Sequence, residues 1–211
     1  MQFHALLNFC VNDLSAFYFD IRKDALYCDA PSSLRRKASL QVVSHLFDCM
    51  TAWLAPMLCF TMEEAWLERN PDGGSVHLRQ FPDIPEQWRD DALAAKWHKV
   101  RQVRRVVTGA LEVVRRLEKT DADHIGSSLE AAPVVHVTDA ALMGALQGLD
   151  LAEICITSDL TLSDTVGPEG AFTLEDVPGV AVINRKATGR NKLSFDARTH
   201  LFQMTGVDLT K

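Results

Sequence analysis

Between Leu93 and Leu117, eight apolar residues (Leu93, Trp97, Val100, Val103, Val107, Leu111, Val114 and Leu117) recur at spacings of three and four. That period predicts one long helix from about Trp88 to Lys119 with a continuous apolar face. Such a face must be covered, so the rest of the chain has to supply packing layers. Arg101, Arg105, Glu112 and Arg116 line much of the opposite side, with Glu112 and Arg116 spaced for an i,i+4 pair.

Two earlier segments carry the same period. Phe3, Leu7, Cys10, Leu14, Phe17 and Ile21 form one stripe, widened by Leu6, Val11 and Tyr18. It starts abruptly behind Met1 and Gln2 with no capping residue, as expected of a helix cut from a longer one. After Asp29-Ala30-Pro31, Ser32 or Ser33 can cap a helix beginning near Leu34. Its two stripes, Leu34/Ala38/Val42/Leu46/Cys49/Trp53 and Leu40/Val43/Phe47/Met50/Leu54, predict burial around much of its circumference, and Pro56 ends or kinks it. Thr61 and Glu64 have capping-box spacing, which predicts a short helix over Met62 to Glu68. A turn follows at Asn70–Gly74, then an extended stretch from Ser75 to Phe81.

Beyond Asp121 the period changes. Pro133–Val137 and Ile154–Thr157 are short β-branched runs, Val177–Ile183 is a third strand candidate, and Asp139–Gln147 reads as a small capped helix. The expected fold is therefore mainly α: an antiparallel helical bundle over residues 1–122, then a small α+β domain over 123–211. From about Asn191 the periodicity is too weak to assign an element.

Charge follows the same division. Residues 1–120 hold 16 Lys and Arg against 15 Asp and Glu, whereas residues 121–211 hold 6 against 13. A polyanionic partner would have to meet local basic patches of the first part. The five cysteines are odd in number and lie mostly in helical patterns, as reduced core residues of a cytoplasmic protein do. No apolar run approaches a membrane span, and the N-terminus lacks the features of a secretory signal.

Catalytic and metal signatures are missing. The seven histidines are scattered without an H-x-x-x-H pair, there is no C-x-x-C, no G-x-S-x-G, and Gly73-Gly74 lacks the residues of a phosphate loop. Glu63-Glu64 near a helix start complements the helix dipole more simply than it serves acid–base chemistry. The expectation is no catalytic residue and no metal ligand.

The basic clusters are more pointed. In D-L-S-A-F-Y-F-D-I-R-K-D-A-L-Y-C-D (Asp13–Asp29), Arg22 and Lys23 leave the first helix. Arg35, Arg36 and Lys37 enter the second, so both groups belong to one end of a helix pair. Converging cations suit phosphate oxygens, and Tyr18 or Tyr27 could stack on an unpaired base. Against this, Arg22 and Lys23 also suit a solvated helix C-terminus, and either tyrosine could pack in the bundle. Arg35–Lys37 resist the bland reading, because basic groups in a first turn oppose the dipole.

These residues closely resemble the anticodon-binding region of bacterial isoleucyl-tRNA synthetases. The resemblance runs through Asp13–Asp29, S-L-R-R-K-A (Ser33–Ala38), H-L-F-D-C-M-T-A-W-L-A-P-M-L-C-F-T-M-E-E-A-W (His45–Trp66), Ser75–Leu78 and I-G-S-S-L-E-A-A-P-V-V-H-V (Ile125–Val137). It covers roughly residues 3–185, and the valyl and leucyl enzymes match much less well. It implies a class I synthetase architecture and a C-terminal fragment of an isoleucine–tRNA ligase. The full-length enzyme would activate isoleucine with ATP and magnesium and attach it to its tRNA, discarding mischarged valine in an editing domain. H-I-G-H and K-M-S-K-S type motifs are absent here, so the fragment itself should be inactive and need no cofactor. Its implied partner is the anticodon stem-loop of isoleucine tRNA, with no DNA and no membrane, bound by a monomer. The implied contacts are Arg22, Lys23, Arg35, Arg36, Lys37, Tyr18, Tyr27, Arg101 and Arg105.

Two departures from the family pattern stand out. Many members carry a basic residue where this chain has Ala25, which removes one expected phosphate contact. Many also end in a cysteine-rich zinc element, whereas no cysteine follows Cys155. The rival expectation is a structural helical-bundle interaction module without direct RNA contacts.

Overall fold

The computed structural model describes residues 2–187; the side chains of Gln2 and Phe3 and the region from Thr188, which includes the unassigned stretch from Asn191, lie outside what it describes. The chain divides into two compact units, one ending at Arg89 and one beginning at Asp90. It is mainly helical with one small three-stranded sheet.

In the first unit, α1 (Gln2–Asn8) runs directly into a π-helical segment, Phe9–Phe19. Each π turn closes one residue later than an α turn. The stripe read at the α period is only partly buried: Leu14 and Ile21 are buried, but Leu7 is 46% exposed. Arg22 and Lys23 do not simply end the first helix: Arg22 leads into a further helical turn, α2 (Lys23–Tyr27). Ser33 is the cap of α3 (Leu34–Leu54), accepting from the Arg36 amide at 3.4 Å. The first half of α3 is less buried than its stripes suggest, with Leu34 82% exposed. The buried positions are Ser39, Cys49, Thr51 and Ala52.

Helix α4 (Cys59–Arg69) begins after Leu58, so Thr61 lies inside it and forms no capping box. Ser75–Phe81 is not a strand; Ser75 caps a 3₁₀ turn, Val76–Leu78. That turn is held by Glu63, whose carboxylate accepts from the Val76 amide at 2.7 Å and the Ser75 hydroxyl at 3.0 Å. Arg79 then lies over the Trp66 ring at 3.7 Å and donates to the Thr51 hydroxyl at 3.1 Å.

The second unit is built on α5 (Asp91–Arg115), capped by Asp90, whose carboxylate accepts from the Leu93 amide at 2.8 Å. Val100, Val103, Val106, Val107, Ala110 and Leu111 are its buried face. They share one core with the sheet and with α6 (Ala140–Leu146) and α7 (Leu151–Cys155). Gly109 lets Phe172 approach the helix; a Cβ there would sit 3.0 Å from the ring. Glu112 pairs with Arg115 at 2.7 Å, while Arg116 is the helix C-cap.

Strand β1 (Val134–Val137) is central, parallel to β2 (Thr161–Ser163) and antiparallel to β3 (Val180–Ile183). Val135 opposite Val182 and Val137 opposite Val180 are all buried beneath the helices. The Ile154–Thr157 run is not a strand. Asp150 caps α7 through the Glu153 amide at 3.0 Å, and Ile156 ends it in the left-handed region at φ 58°. The cysteines are all unpaired, but only Cys49 and Cys155 are buried; Cys28 and Cys59 are exposed, contrary to a uniform core placement.

Candidate nucleic-acid interface

Sequence brings Tyr18, Arg22, Lys23, Tyr27, Arg35, Arg36 and Lys37 onto the short path from the π segment through α2 to α3. Ile21 and Ala25 are the apolar feet of this path, and Ala25 is wholly buried. Position 25 thus faces the interior, so in this chain it is a packing position rather than a vacant phosphate contact. With those two side chains inward, Lys23, Asp24 and Tyr27 face out, and Tyr27 is 71% exposed.

Tyr18 is only half exposed. Burial pushes its phenol above the ordinary value, opposed by the Arg22 charge and by a side-chain hydrogen bond with Ser39. Ser39 in turn donates to the Arg35 carbonyl at 2.9 Å. Tyr18 therefore packs against α3, leaving Tyr27 as the ring with an open face.

The entry to α3 holds an arrangement that the sequence pattern did not reveal. Arg35 forks onto Asp29, Nε to Oδ2 at 2.9 Å and Nη2 to Oδ1 at 2.7 Å. The Ser33 hydroxyl donates to the same carboxylate at 3.0 Å, and Arg36 Nη1 donates to the Asp29 carbonyl at 2.7 Å. The Arg35 guanidinium, helped by Ser33, holds the Asp29 carboxyl at about 2, well below the usual carboxylate range. A negative charge beside a helix N-terminus also offsets the unfavourable placement of cations there. The expected conflict with the dipole is resolved within the chain itself. An acid four residues ahead of the Ser33 cap was the available signal.

Lys23 pairs with Asp20 at 2.8 Å on the exposed surface, and that contact raises the Lys23 pKa. Lys37 is exposed in the first turn of α3. Arg101 and Arg105 belong to the other unit: Arg101 is half-buried, and Arg105 pairs with Asp176 at 2.5 Å. Among the described residues no group of three or more His, Cys, Asp or Glu side chains could hold a metal ion. No described helix is long and apolar enough to cross a membrane.

A family model for the anticodon-binding domain of tRNA ligase matches residues 2–124. The chain belongs to that family. The match takes in the whole first unit and α5 of the second. Isoleucine–tRNA ligases of Mesorhizobium japonicum, Brucella abortus biovar 1 and Agrobacterium fabrum are 66%, 64% and 61% identical over 186, 185 and 185 residues. In each case this is 88% of the chain, but only 18%, 18% and 19% of the relative. The chain thus spans about a fifth of the length of the curated relatives it matches. Seen as a member of this family, the α2–α3 junction is a compact polar surface of five cations and three carboxylates between Asp20 and Lys37, with one outward aromatic ring.

Proposed function

We propose that this chain is the anticodon-binding part of an isoleucine–tRNA ligase and that its α2–α3 junction contacts the anticodon stem-loop of isoleucine tRNA. The observation that carries the reading is Tyr27, held out in solvent on a turn whose other face is buried, with Lys23 one helical turn before it. An open aromatic ring stacks on an unpaired base, and flanking Arg22, Lys23 and Lys37 meet phosphate oxygens. Phosphate contacts orient the RNA, while the bases supply discrimination.

In the whole protein this part would present the tRNA to domains that activate isoleucine with ATP and magnesium. That activity, a cytoplasmic location and a monomeric state are parts of the same proposal. We place the end of the tRNA-binding segment near residues 122–123, with support from the family match ending at 124. On that division α5 belongs to the tRNA-binding segment by family, while its apolar face serves the core of the second unit.

The test is a binding isotherm of the chain with an isoleucine tRNA transcript at several salt concentrations. The expected result is an affinity that falls with salt at a slope set by the phosphates neutralised, together with a loss of about 1–3 kcal/mol for Tyr27→Ala. Absence of binding, or binding indifferent to salt and to Tyr27, would favour a structural bundle module instead.

A further inference from the structure

We infer that Asp29 is a positioning residue for the RNA-contacting surface, and that Arg35 is its strut rather than a phosphate contact. This role rests on the reading of the α2–α3 junction as a tRNA surface. Arg35 spends both faces of its fork on one carboxylate, at 2.9 and 2.7 Å. A guanidinium in a bidentate pair has its most directional donors occupied, so engaging a phosphate there would mean breaking the pair. Arg36 closes the same loop from the other side through the Asp29 carbonyl, and Ser33 links the carboxylate to the helix cap.

The geometry ties three segments together at one residue. The Asp29 amide donates to the Asp24 carbonyl at 3.2 Å, and that of Cys28 to the same carbonyl at 2.8 Å, so the end of α2 is continuous with the clamp. Tyr27 is the last residue of α2, two positions before Asp29. Its ring has little packing of its own, being 71% exposed, so its direction depends on the backbone that Asp29 fixes. A ring held in place before binding forfeits less freedom on stacking than one that must be ordered by the RNA.

A direct contact and a strut respond oppositely to neutralising Asp29. If Arg35 met a phosphate, Asp29→Asn would free it and remove a repelling charge, so tRNA would bind more tightly. For a strut, binding weakens. The experiment uses the full chain and an isoleucine tRNA transcript, with binding measured across salt at a temperature where each variant is shown folded by circular dichroism. Asp29→Asn and Arg35→Gln are each expected to weaken binding roughly three- to tenfold with the salt slope unchanged, and the double variant no further. Lys37→Gln, a direct contact, lowers the slope by about 1. In a Tyr27→Ala background, Asp29→Asn is expected to have no additional effect, a coupling that a general loss of stability would not produce. Should Asp29→Asn not fold, Arg35→Gln carries the same comparison, both in salt slope and in the Tyr27→Ala background.

Tighter binding by Asp29→Asn, a slope lowered by about 1 in Arg35→Gln, or additive losses with Tyr27→Ala would overturn the role while leaving the tRNA reading intact. A wild-type chain that binds no tRNA at any salt would overturn the reading beneath it, and the role with it.

Discussion

Replacing Arg79 tests whether the first unit depends on a side chain that no helical period would nominate. Arg79 lies 3.7 Å over the Trp66 ring centroid and donates to the Thr51 hydroxyl at 3.1 Å and to the Asp48 carbonyl at 3.4 Å. The segment that carries it has no strand pairing, so these contacts and the Glu63 clamp fasten it to α3 and α4. A partly desolvated cation–π contact contributes about 1 kcal/mol and a charge-assisted hydrogen bond about 1.5–3 kcal/mol. Part of this is offset because Thr51 keeps its own bond to the Phe47 carbonyl at 2.8 Å, so no buried hydroxyl is orphaned. Arg79→Met, which preserves the aliphatic stem, should therefore cost about 2 kcal/mol, and Arg79→Lys about 1 kcal/mol. The assay is urea unfolding followed by circular dichroism, with Trp66→Leu and the double variant completing a cycle. A coupling of about 1 kcal/mol between positions 66 and 79 is expected. A coupling within about 0.3 kcal/mol of zero would refute the reasoning, since the ring and the guanidinium would then be neighbours without mutual stabilisation.

Asp29, held at about 2 against an ordinary 3.8, has a depressed pKa, so its stabilisation is complete above about pH 4 and is lost as pH falls towards 2. Because Arg35 is 43% exposed, solvent screening limits the effect to about 1 kcal/mol; a carboxyl-carbon titration with its midpoint near 3.8 would contradict it. Val106→Ala removes two methyl groups from a fully buried site and should cost about 2–3 kcal/mol in chemical unfolding of the chain. A loss below about 0.5 kcal/mol would show that the core around α5 collapses to fill the space. Under native conditions, maleimide should label the exposed Cys28 and Cys59 while sparing Cys155, whose thiol burial pushes up to about 12; equal labelling of Cys155 would mean that the second unit opens readily.

The elements that were legible in the sequence are those whose burial is one-sided and local. Helix α5 was visible because its apolar residues recur at threes and fours from Leu93 to Val114, and β1 and β3 because Val134–Val137 and Val180–Ile183 are short runs rich in β-branched residues. Where one residue's geometry depends on another far along the chain, the pattern was silent. Ile154 and Cys155 look like strand residues by composition, yet the Asp150 cap turns them into a helix. Ser75–Phe81 looks extended, yet Glu63 from α4 folds it into a 3₁₀ turn. At the candidate interface, the cations and rings were found by residue type and family resemblance. Their division of labour was not, since Arg35 and Asp29 are six residues apart across a turn and no helix spacing relates them.

The π-helical segment has a consequence for how this chain tolerates length changes. Every residue in a helix sets the azimuth of all those before it, by about 100° per residue at the α period. A run that closes its turns one residue late stores those extra residues as slack. Deleting a single residue between Phe9 and Phe19 could be absorbed by a local return to α-helical winding, with Leu14 and Ile21 kept on the same side. The same deletion within α5 has no such reserve and would swing half of its valines away from the sheet. Insertions and deletions among related chains should therefore gather in the first of these helices and avoid the second.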